Sequence, residues 1–403
     1  MKLFGNTSKK KNKNKEIIPV RSQTDKTERS PEEKKKIDEM IAKYQKKKKR
    51  KRIIALCVIL VLVASAFTAY KIVVKPPETA DPPLQHTRKP GNGNEIVPSP
   101  QDNDTPPIEV TNRKDGFYTF IIVGNDQGNG NTDTMMLGAF DAKNKKLNIV
   151  NIPRDTMVNV PWNVKKVNTL LAFGGGEEGL KAGIRDMVGF TVDSYIIVDL
   201  DAFKQLVDAV GGVEFDIPVD MHYEDPGQDL YIHLNAGMRY LNGEDALKVF
   251  RFRSGYASAD IGRIETQQAF LKTLAKKMLN IGNLTKVKEF AKIFSDNVET
   301  DLTLGNIIWY GQEFLGLKDE DITFHTLPEN YNDSVKGLSY CSIIVDEWLK
   351  VVNDYLNPYK QDITLEHVNI LTRDENGNLY ATSGEIRGGI NSFYVYEGGS
   401  ADF

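Results

Sequence analysis

Eighteen consecutive residues without a charged side chain, Ile53–Tyr70, limit what this chain of 403 residues can fold into more than any other feature. In a helix that rises about 1.5 Å per residue, roughly 20 residues cross a hydrocarbon core of about 30 Å. Lys71, near the far end of the run, can extend its ammonium group to the membrane interface. The sequence therefore predicts one transmembrane helix over residues 53–74.

The charge differs sharply on the two sides of this run. Residues 1–52 hold 20 basic and 7 acidic side chains, a net charge of +13. The rest of the chain holds 32 basic and 48 acidic side chains, a net charge of −16. Because basic residues beside a membrane helix favour the cytoplasmic side, we expect residues 1–52 to form a cytoplasmic tail and the C-terminal region to lie outside the cell.

A cleaved signal peptide is the alternative, since Ala64-Ser65-Ala66 matches a small-residue cleavage pattern. Cleavage there would cut inside the apolar run, and a charged lead of 52 residues is far too long for an ordinary signal peptide. The two cysteines, Cys57 and Cys341, fall in the predicted membrane helix and in the distal region, so no disulfide within the fold is expected. This favours a single-pass cell-membrane protein of Gram-positive type.

The region beyond the apolar run divides into a stalk and a domain. Residues 75–112 hold 9 of the 17 prolines, which predicts an extended extracellular stalk. Residues 113–403 are enough for one extracytoplasmic domain, in which strand and helix patterns alternate. The predicted fold is therefore α/β, an α/β/α sandwich with a mixed central sheet, preceded by the transmembrane helix. Asp201 is expected to cap a helix, and Asn376-Gly377 to form a hairpin turn.

Several common enzyme signatures are missing from the sequence. Gly174–Gly176 precedes two glutamates, whose charge does not suit a phosphate-binding loop. No G-x-S-x-G elbow occurs, and the five histidines lack metal-ligand spacing. Zinc chemistry and Ser/His hydrolysis are therefore unsupported.

Two carboxylates stand at the ends of neighbouring predicted strands. Asp126 directly follows a strand, and Asp133 stands at the start of the next one. They could converge on a hard cation such as Mg²⁺, which favours one or two carboxylates together with substrate phosphates. The alternative is that both aspartates only cap turns.

Arginines occur in two further segments. Arg154-Asp155 lies just beyond a buried strand, where α/β proteins bind ligands, although a local ion pair would explain it equally well. Arg251 and Arg253 can face one ligand only if the backbone between them is extended. Arg263 and Gln267 share a face in the first turns of a helix, where an anion is favoured. Solvated surface arginines are the alternative.

Six segments along residues 116–274 together resemble one known family. In order they read GND…NTDTMML, LNIVNIPRDTMV, KVNTLLAFGGG, SYIIVDLDAFKQLVDAVGGVEFDIPV, LNAGMRYLNGEDALKVFRFR and ADIGRIETQQAFL. They are similar to the LytR-CpsA-Psr (LCP) family. The family's architecture, a cytoplasmic tail, one membrane helix and an outer catalytic domain, matches what charge and hydropathy indicate separately.

The resemblance implies a phosphotransferase that moves anionic glycopolymers, such as teichoic acids or capsular polysaccharides, from an undecaprenyl-diphosphate carrier to peptidoglycan. It implies Mg²⁺ or Mn²⁺ on Asp126 and Asp133, with Asp133 as a candidate base. The polyprenyl diphosphate is expected to bind a set of arginines and a neighbouring glutamine, which two aspartates support. Binding of the membrane lipid carrier would also need an apolar tunnel. The diphosphate-binding and supporting residues are Arg154, Arg251, Arg253, Arg263, Gln267, Asp260 and Asp155.

Three departures from the family pattern leave alternatives open. Gly128, Asn131 and Thr266 stand where the family commonly has arginine, and each loss removes positive charge near the diphosphate. A non-catalytic member that binds polyprenyl phosphate or wall polymer is one alternative. An envelope-related transcriptional attenuator is another, but the basic tail has no helix-turn-helix pattern, so we expect no specific nucleic-acid partner.

Overall fold

The computed structural model describes residues 31–80, 112–125, 132–228, 230–253, 255–256, 260–279 and 284–394. The chain divides into two compact units, residues 1–70 and 71–403. Most of the predicted stalk, as well as Asp126, Gly128 and Asn131, lies outside the described residues. The side chains of Asp133 and Asp260 are outside them too.

One long helix, α1 (Pro31–Val73), begins in the basic tail and continues through the predicted membrane segment. Of the helices that the described residues form, none is both long and apolar enough to cross a membrane. The transmembrane helix, the domain boundaries and the cytoplasmic position of the tail therefore stay predictions from the sequence.

The second unit alternates strands and helices. Its strands are β1 (Phe117–Asn125), β2 (Thr132–Asp141), β3 (Lys146–Ile152), β4 (Ser194–Asp199), β5 (Val213–Ile217), β6 (Met221–Asp225), β7 (Leu230–Leu234), β8 (Gly237–Leu241), β9 (Glu299–Thr300), β10 (Ile322–Thr326), β11 (Glu329–Val335), β12 (Leu338–Ile343), β13 (Leu371–Arg373) and β14 (Leu379–Ala381). Its helices are α2 (Leu170–Phe173), α3 (Glu177–Val188), α4 (Leu200–Ala209), α5 (Gly243–Arg251), α6 (Asp260–Leu279), α7 (Leu284–Asn297), α8 (Leu304–Phe314) and α9 (Val345–Val351).

Six strands form a mixed central sheet in the order β10-β3-β2-β1-β4-β9. Strand β1 runs parallel to β4 and antiparallel to β2, while β3 is antiparallel to β2 and parallel to β10. The carboxyl ends of β1, β3, β4 and β10 therefore meet the amino end of β2 at one edge of the sheet. The mixed α/β fold predicted from the alternating pattern is confirmed.

Helices cover both faces of this sheet. On one face, Ile121 of β1 packs in a buried cluster with Ile184 of α3 and Trp348 of α9. On the other face, the ring of Phe140 in β2 meets the ring of Phe314 in α8 edge to face, with centroids 5.0 Å apart. Such double coverage explains why the β1 and β2 sequences read as nearly continuous apolar runs.

A second core holds the helices that carry the predicted arginines. Phe203 of α4, Phe250 of α5 and Phe270 of α6 pack together, with ring centroids 4.7 Å apart for the first pair and 5.4 Å apart for the last. Phe215 of β5 joins them, 5.4 Å from Phe270. Burial of these rings fixes α5 and α6 against each other, and with them the segments around Arg251 and Arg263.

Two local predictions have different outcomes. The turn at Asn376-Gly377 is confirmed, because Gly377 has φ of +79° between the paired strands β13 and β14. The expected cap of α4 is wrong by two residues. Asp199, not Asp201, caps the helix, and its Oδ1 accepts a hydrogen bond from Ala202 N at 2.7 Å.

Candidate active site

The carboxyl edge of the sheet gathers the predicted strand-end residues. Asn125 ends β1 and pairs with Thr132 at the start of β2, while Gly124 pairs with Thr134. The register shift leaves Asp133 as the extra residue of β2 at a bulge, a feature that is common beside active sites. Asp126 is the residue after Asn125. The backbone therefore supports their predicted closeness, and the metal site itself stays a prediction.

Arg154 lies two residues beyond the end of β3, at the same edge. Its Nε is 3.8 Å from Asp155 Oδ2, so the local ion pair that the sequence left open does form. The other carboxylate oxygen, Asp155 Oδ1, is 2.7 Å from Lys166 Nζ. Asp155 thus lies between two cations, and its supporting role toward a substrate stays a prediction.

Sequence reasoning missed Lys166. Its side chain is buried and its ammonium lies 5.3 Å from the centroid of the Tyr340 ring. A buried lysine needs a charge partner or hydrogen bonds, and Asp155 supplies both. Lys166 stands in the KVNTLLAFGGG segment, but no periodicity distinguishes it from the many surface lysines, so only the tertiary contact identifies it.

The backbone of the arginine segment is tied to other parts of the domain. Asp155 O accepts a hydrogen bond from Cys341 N of β12 at 2.9 Å, and Arg154 O accepts one from Asn168 N at 3.2 Å. Thr156 Oγ1 donates to buried Glu329 Oε2 at 2.8 Å. These bonds hold Arg154 in a defined position relative to the sheet edge.

The backbone between Arg251 and Arg253 is extended, as both would need in order to face one ligand. Helix α5 ends at Arg251, and Phe252 has an extended backbone with φ of −70° and ψ of 122°. Phe252 is buried, whereas Arg251 is half-buried and Arg253 exposed. The two arginines therefore flank one extended residue, which is the backbone condition for both to face one ligand.

Helix α6 connects the α5 arginines to the sheet edge. The Gln267 amide Nε2 donates to Phe250 O of α5 at 3.0 Å. The next side chain, Gln268, donates to Thr326 Oγ1 at 3.0 Å and to His325 O at 3.3 Å, both at the carboxyl end of β10. Gln267 therefore positions the end of α5 in addition to its predicted role as a substrate ligand.

Arg263 lies one turn before Gln267 and is only 4% exposed. Burial raises the pKa of the Tyr256 hydroxyl, and the positive charge of Arg263 opposes that shift. Arg263 is thus close enough to act electrostatically on the segment that follows Arg253. Thr266, which replaces a family arginine, is also buried and donates to Gly262 O at 2.8 Å within its own helix.

Two links connect the segments that carry the predicted residues, and the convergence of the guanidinium groups themselves stays a prediction. Strands β3 and β10 are neighbours, with Asn151 opposite Thr326, so the Arg154 segment and the α6 contact lie side by side. Gln267 then joins α5 to α6. Over the described residues, no group of three or more His, Cys, Asp or Glu side chains is arranged to hold a metal ion.

The fold defines a mixed-sheet α/β protein whose Arg154-Asp155 segment lies at the carboxyl edge of the sheet. The chain belongs to the LytR_cpsA_psr family, whose model matches residues 92–355. This confirms the resemblance that the sequence motifs indicated.

Two relatives and one solved structure specify the similarity. The chain is 28% identical over 273 residues to the polyisoprenyl-teichoic acid–peptidoglycan teichoic acid transferase TagV of Bacillus subtilis (strain 168), which covers 66% of this chain and 67% of that protein. It is 25% identical over 317 residues to the TagU transferase of the same description from Oceanobacillus iheyensis, 76% of this chain and 92% of that protein. The crystal structure of B. subtilis TagV matches with a TM-score of 0.52 and 24% identity, over 62% of this chain and 100% of that one, and shows the same fold.

Proposed function

We propose that this protein is a phosphotransferase that moves an anionic glycopolymer from a polyprenyl-diphosphate carrier to peptidoglycan. The observation that carries the proposal is the meeting of the Arg154 segment with α6 at the carboxyl end of β10. This link supports the approach of guanidinium groups from distant parts of the chain to one edge, as a diphosphate requires. The names of the TagV and TagU relatives support the same class of donor and acceptor.

Phosphoryl transfer needs little covalent help from a protein. An acceptor hydroxyl oxygen attacks the phosphorus that bears the glycopolymer, forming a new P–O bond. The anhydride P–O bond breaks, and the polyprenyl phosphate leaves with the electron pair. Arg154, Arg251, Arg253 and Arg263 would stabilise the charge on the leaving phosphate. We assign acceptance of the hydroxyl proton to a carboxylate, Asp133 being the candidate.

A divalent cation, Mg²⁺ or Mn²⁺, belongs to the same proposal. Asn125 and Thr132 are paired neighbours, and each immediately precedes one of the predicted ligands, Asp126 and Asp133. Two carboxylates beside a diphosphate are a donor set that Mg²⁺ favours. When bound, the cation would supply further neutralisation of phosphate charge.

The test compares Arg154→Ala with Arg239→Ala, a matched change at an exposed arginine of β8. Full-length protein in detergent receives a lipid-diphosphate-linked polymer, Mg²⁺ and a glycan acceptor. Loss of one charged donor to a transition state costs roughly 10²–10³ in rate, so Arg154→Ala should lose transfer on that scale while Arg239→Ala keeps it. Unchanged transfer by Arg154→Ala, with an unchanged melting temperature, would refute the role.

One observation favours a second candidate, a binding protein of the same family. Thr266 stands where the family commonly has an arginine, so that positive charge is missing. Its side chain is buried and its hydroxyl is bonded within α6. A carrier-binding protein needs affinity for the lipid diphosphate but no turnover. Tight binding of the donor without transfer, in the same assay, would identify this second function.

A further inference from the structure

The first residues of the predicted stalk lie against the domain that follows them. Helix α1 ends at Val73, and residues 71–80 belong to the same compact unit as the domain. Val74 is only 8% exposed, and Pro77 is buried as well. We call residues 74–80 the strap, because hydrogen bonds near both of its ends join it to the domain.

The start of α8 receives the first end of the strap. Asn306 Nδ2 donates to Lys75 O at 3.0 Å, while Oδ1 of the same amide accepts from Thr303 N at 2.9 Å and completes the cap of α8. A Cβ at Gly305 would collide with Val73 O, so only glycine lets the chain pass this close. The donating amide and the missing side chain therefore both fit the strap.

The buried carboxylate of Asp193 receives the second end of the strap. Its Oδ1 accepts a hydrogen bond from Ala80 N at 2.6 Å. Its Oδ2 accepts one from Thr119 N at 2.7 Å and another from the guanidinium group of Arg113. A buried charge is tolerated when a countercharge and hydrogen bonds surround it. Ala80 and Arg113, on the two flanks of the proline-rich segment, are therefore held at a single carboxylate.

These contacts lie at the amino edge of the central sheet, opposite the edge of the Arg154 segment. Asp193 immediately precedes β4. Strand β9 is antiparallel to β4 and leads the chain toward the same end, where α8 begins. The nine residues of β1, at about 3.3 Å each, place the two edges roughly 30 Å apart.

The surface around the strap carries side chains that suit a membrane interface. Ile72, Val73 and Leu304 are apolar, yet 69%, 62% and 41% exposed. Lys71 is exposed beside them. Exposed apolar side chains next to a lysine are favoured where lipid headgroups meet acyl chains. The uncharged run of the sequence ends at Tyr70, one residue before Lys71, so a bilayer that this run crosses would begin next to the strap.

We infer that the amino edge of the sheet, around the start of α8, is the surface that this domain presents to the lipid headgroups of the membrane. The inference rests on the predicted transmembrane helix and goes beyond the proposed transferase function. Because the strap is seated on the domain, the chain beyond Ala80 does not set the distance between the domain and the bilayer. The Arg154 edge points away from the membrane.

The experiment measures how close two labelled positions lie to lipid headgroups. Full-length protein with Cys57→Ser is reconstituted into vesicles of phosphatidylcholine and phosphatidylglycerol, with and without a lipid that carries a nitroxide on its headgroup. A fluorophore is attached at Leu304→Cys or, at the opposite edge, at Asp201→Cys, which is an exposed position. Cys341 is buried and should stay unlabelled.

Two insertions distinguish a seated strap from an extended stalk. A flexible insertion of twelve Gly and Ser residues has an average span of roughly 20 Å. Placed after Val73, it separates the predicted membrane helix from the strap, whereas after Ala80 it lengthens only the chain beyond the strap. An extended stalk would be lengthened equally by both insertions.

A point substitution makes the same comparison at constant chain length. Gly305→Ala displaces Val73 O from the start of α8 and should lower the quenching at Leu304 as the insertion after Val73 does. Gly316→Ala is the matched control, because a Cβ there meets only ordinary van der Waals contacts. Wild-type quenching in both glycine variants would contradict the seat at Gly305.

We expect the nitroxide lipid to quench the Leu304 label at least twice as strongly as the Asp201 label. The insertion after Val73 should at least halve the quenching at Leu304, and the insertion after Ala80 should leave it unchanged. Equal quenching of the two labels, equal effects of the two insertions, or release of the protein from the vesicles by an alkaline wash would overturn the inference. Transfer of glycopolymer is not measured, so failure of the proposed function is a separate result.

Discussion

Gln268 on α6 donates a hydrogen bond to Thr326 Oγ1 at the carboxyl end of β10, with 3.0 Å between the two atoms. Because β10 lies beside β3, this bond ties the helix that carries Arg263 to the strand next to the Arg154 segment. The helix that carries Arg263 and the segment of Arg154, more than a hundred positions apart in sequence, are thereby linked to neighbouring strands. The bond is therefore a structural link within the proposed diphosphate site.

Gln268→Ala tests that link. Loss of a neutral hydrogen bond costs about 1 kcal/mol in the free energy of unfolding. Without this bond we expect α6 to shift, which should raise the KM for the lipid-diphosphate donor several-fold and leave the KM for the acceptor unchanged. Two-substrate kinetics with thermal melts would measure both. Glu265→Ala, at an exposed position of the same helix, is the control, and equal donor KM values in the two variants would contradict the prediction.

Lys166→Met should both destabilise the fold and lower transfer. The change leaves Asp155 without its closest cation, so we expect a loss of about 1–3 kcal/mol in the free energy of unfolding and at least a tenfold fall in kcat/KM. Lys181→Met breaks an ion pair with Asp301 whose atoms are 2.5 Å apart at a more exposed place, and should cost under about 1 kcal/mol. Denaturant melts and the transfer assay compare the two; similar losses would exclude a special role for Lys166.

Lys165 should make stability depend on pH. Its side chain is fully buried, its ammonium donates to Val160 O, Trp162 O and Arg387 O, and burial lowers its pKa to about 8 from 10.5. Below pH 8 the lysine is charged in both the folded and the unfolded chain, so it does not change how the free energy of unfolding depends on pH. Between about pH 8 and 10.5 the unfolded chain binds more protons, so this contribution to the free energy of unfolding rises with pH, by at most about 1.4 kcal/mol per unit.

The Lys165 contribution is read as a difference between variants. Thermal melts of wild type and Lys165→Met are compared from pH 7 to pH 10.5, with Lys143→Met as the exposed control. The wild type should gain stability relative to Lys165→Met above pH 8. Parallel pH profiles would show that Lys165 keeps its ordinary pKa.

Thr266→Arg would restore a family arginine, yet it should not raise the rate of transfer. Thr266 is 4% exposed, so a guanidinium there would overpack the α6 interface and lose about 1–3 kcal/mol. Glu265→Arg, on the exposed side of the same helix, should be within about 0.5 kcal/mol of wild type. Melting curves and transfer rates check both, and a stable, faster Thr266→Arg would show that the buried pocket adapts.

Much of the architecture follows from local patterns. The alternation of strands and helices over residues 113–403 and the turn at Asn376-Gly377 follow from the sequence, because burial on a sheet, helical periodicity and turn chemistry are local. The paired strands β11 and β12 and the hairpin of β6 with β7 are not predicted by the sequence, since polar residues fill β11 and β6. Asp, Asn and Glu have low strand propensity, so local pattern is weakest there.

The sequence by itself determined the uncharged run, the opposite charges on its two sides, the mixed α/β class and the family motifs with their arginines. Only the tertiary structure decided which side chains act together: Lys166 with Asp155, Gln267 with α5, and Gln268 with β10. The physical reason is that hydropathy and propensity act over a few residues. Charge pairing and cavity shape depend instead on contacts between segments that only the order of strands in the sheet brings together.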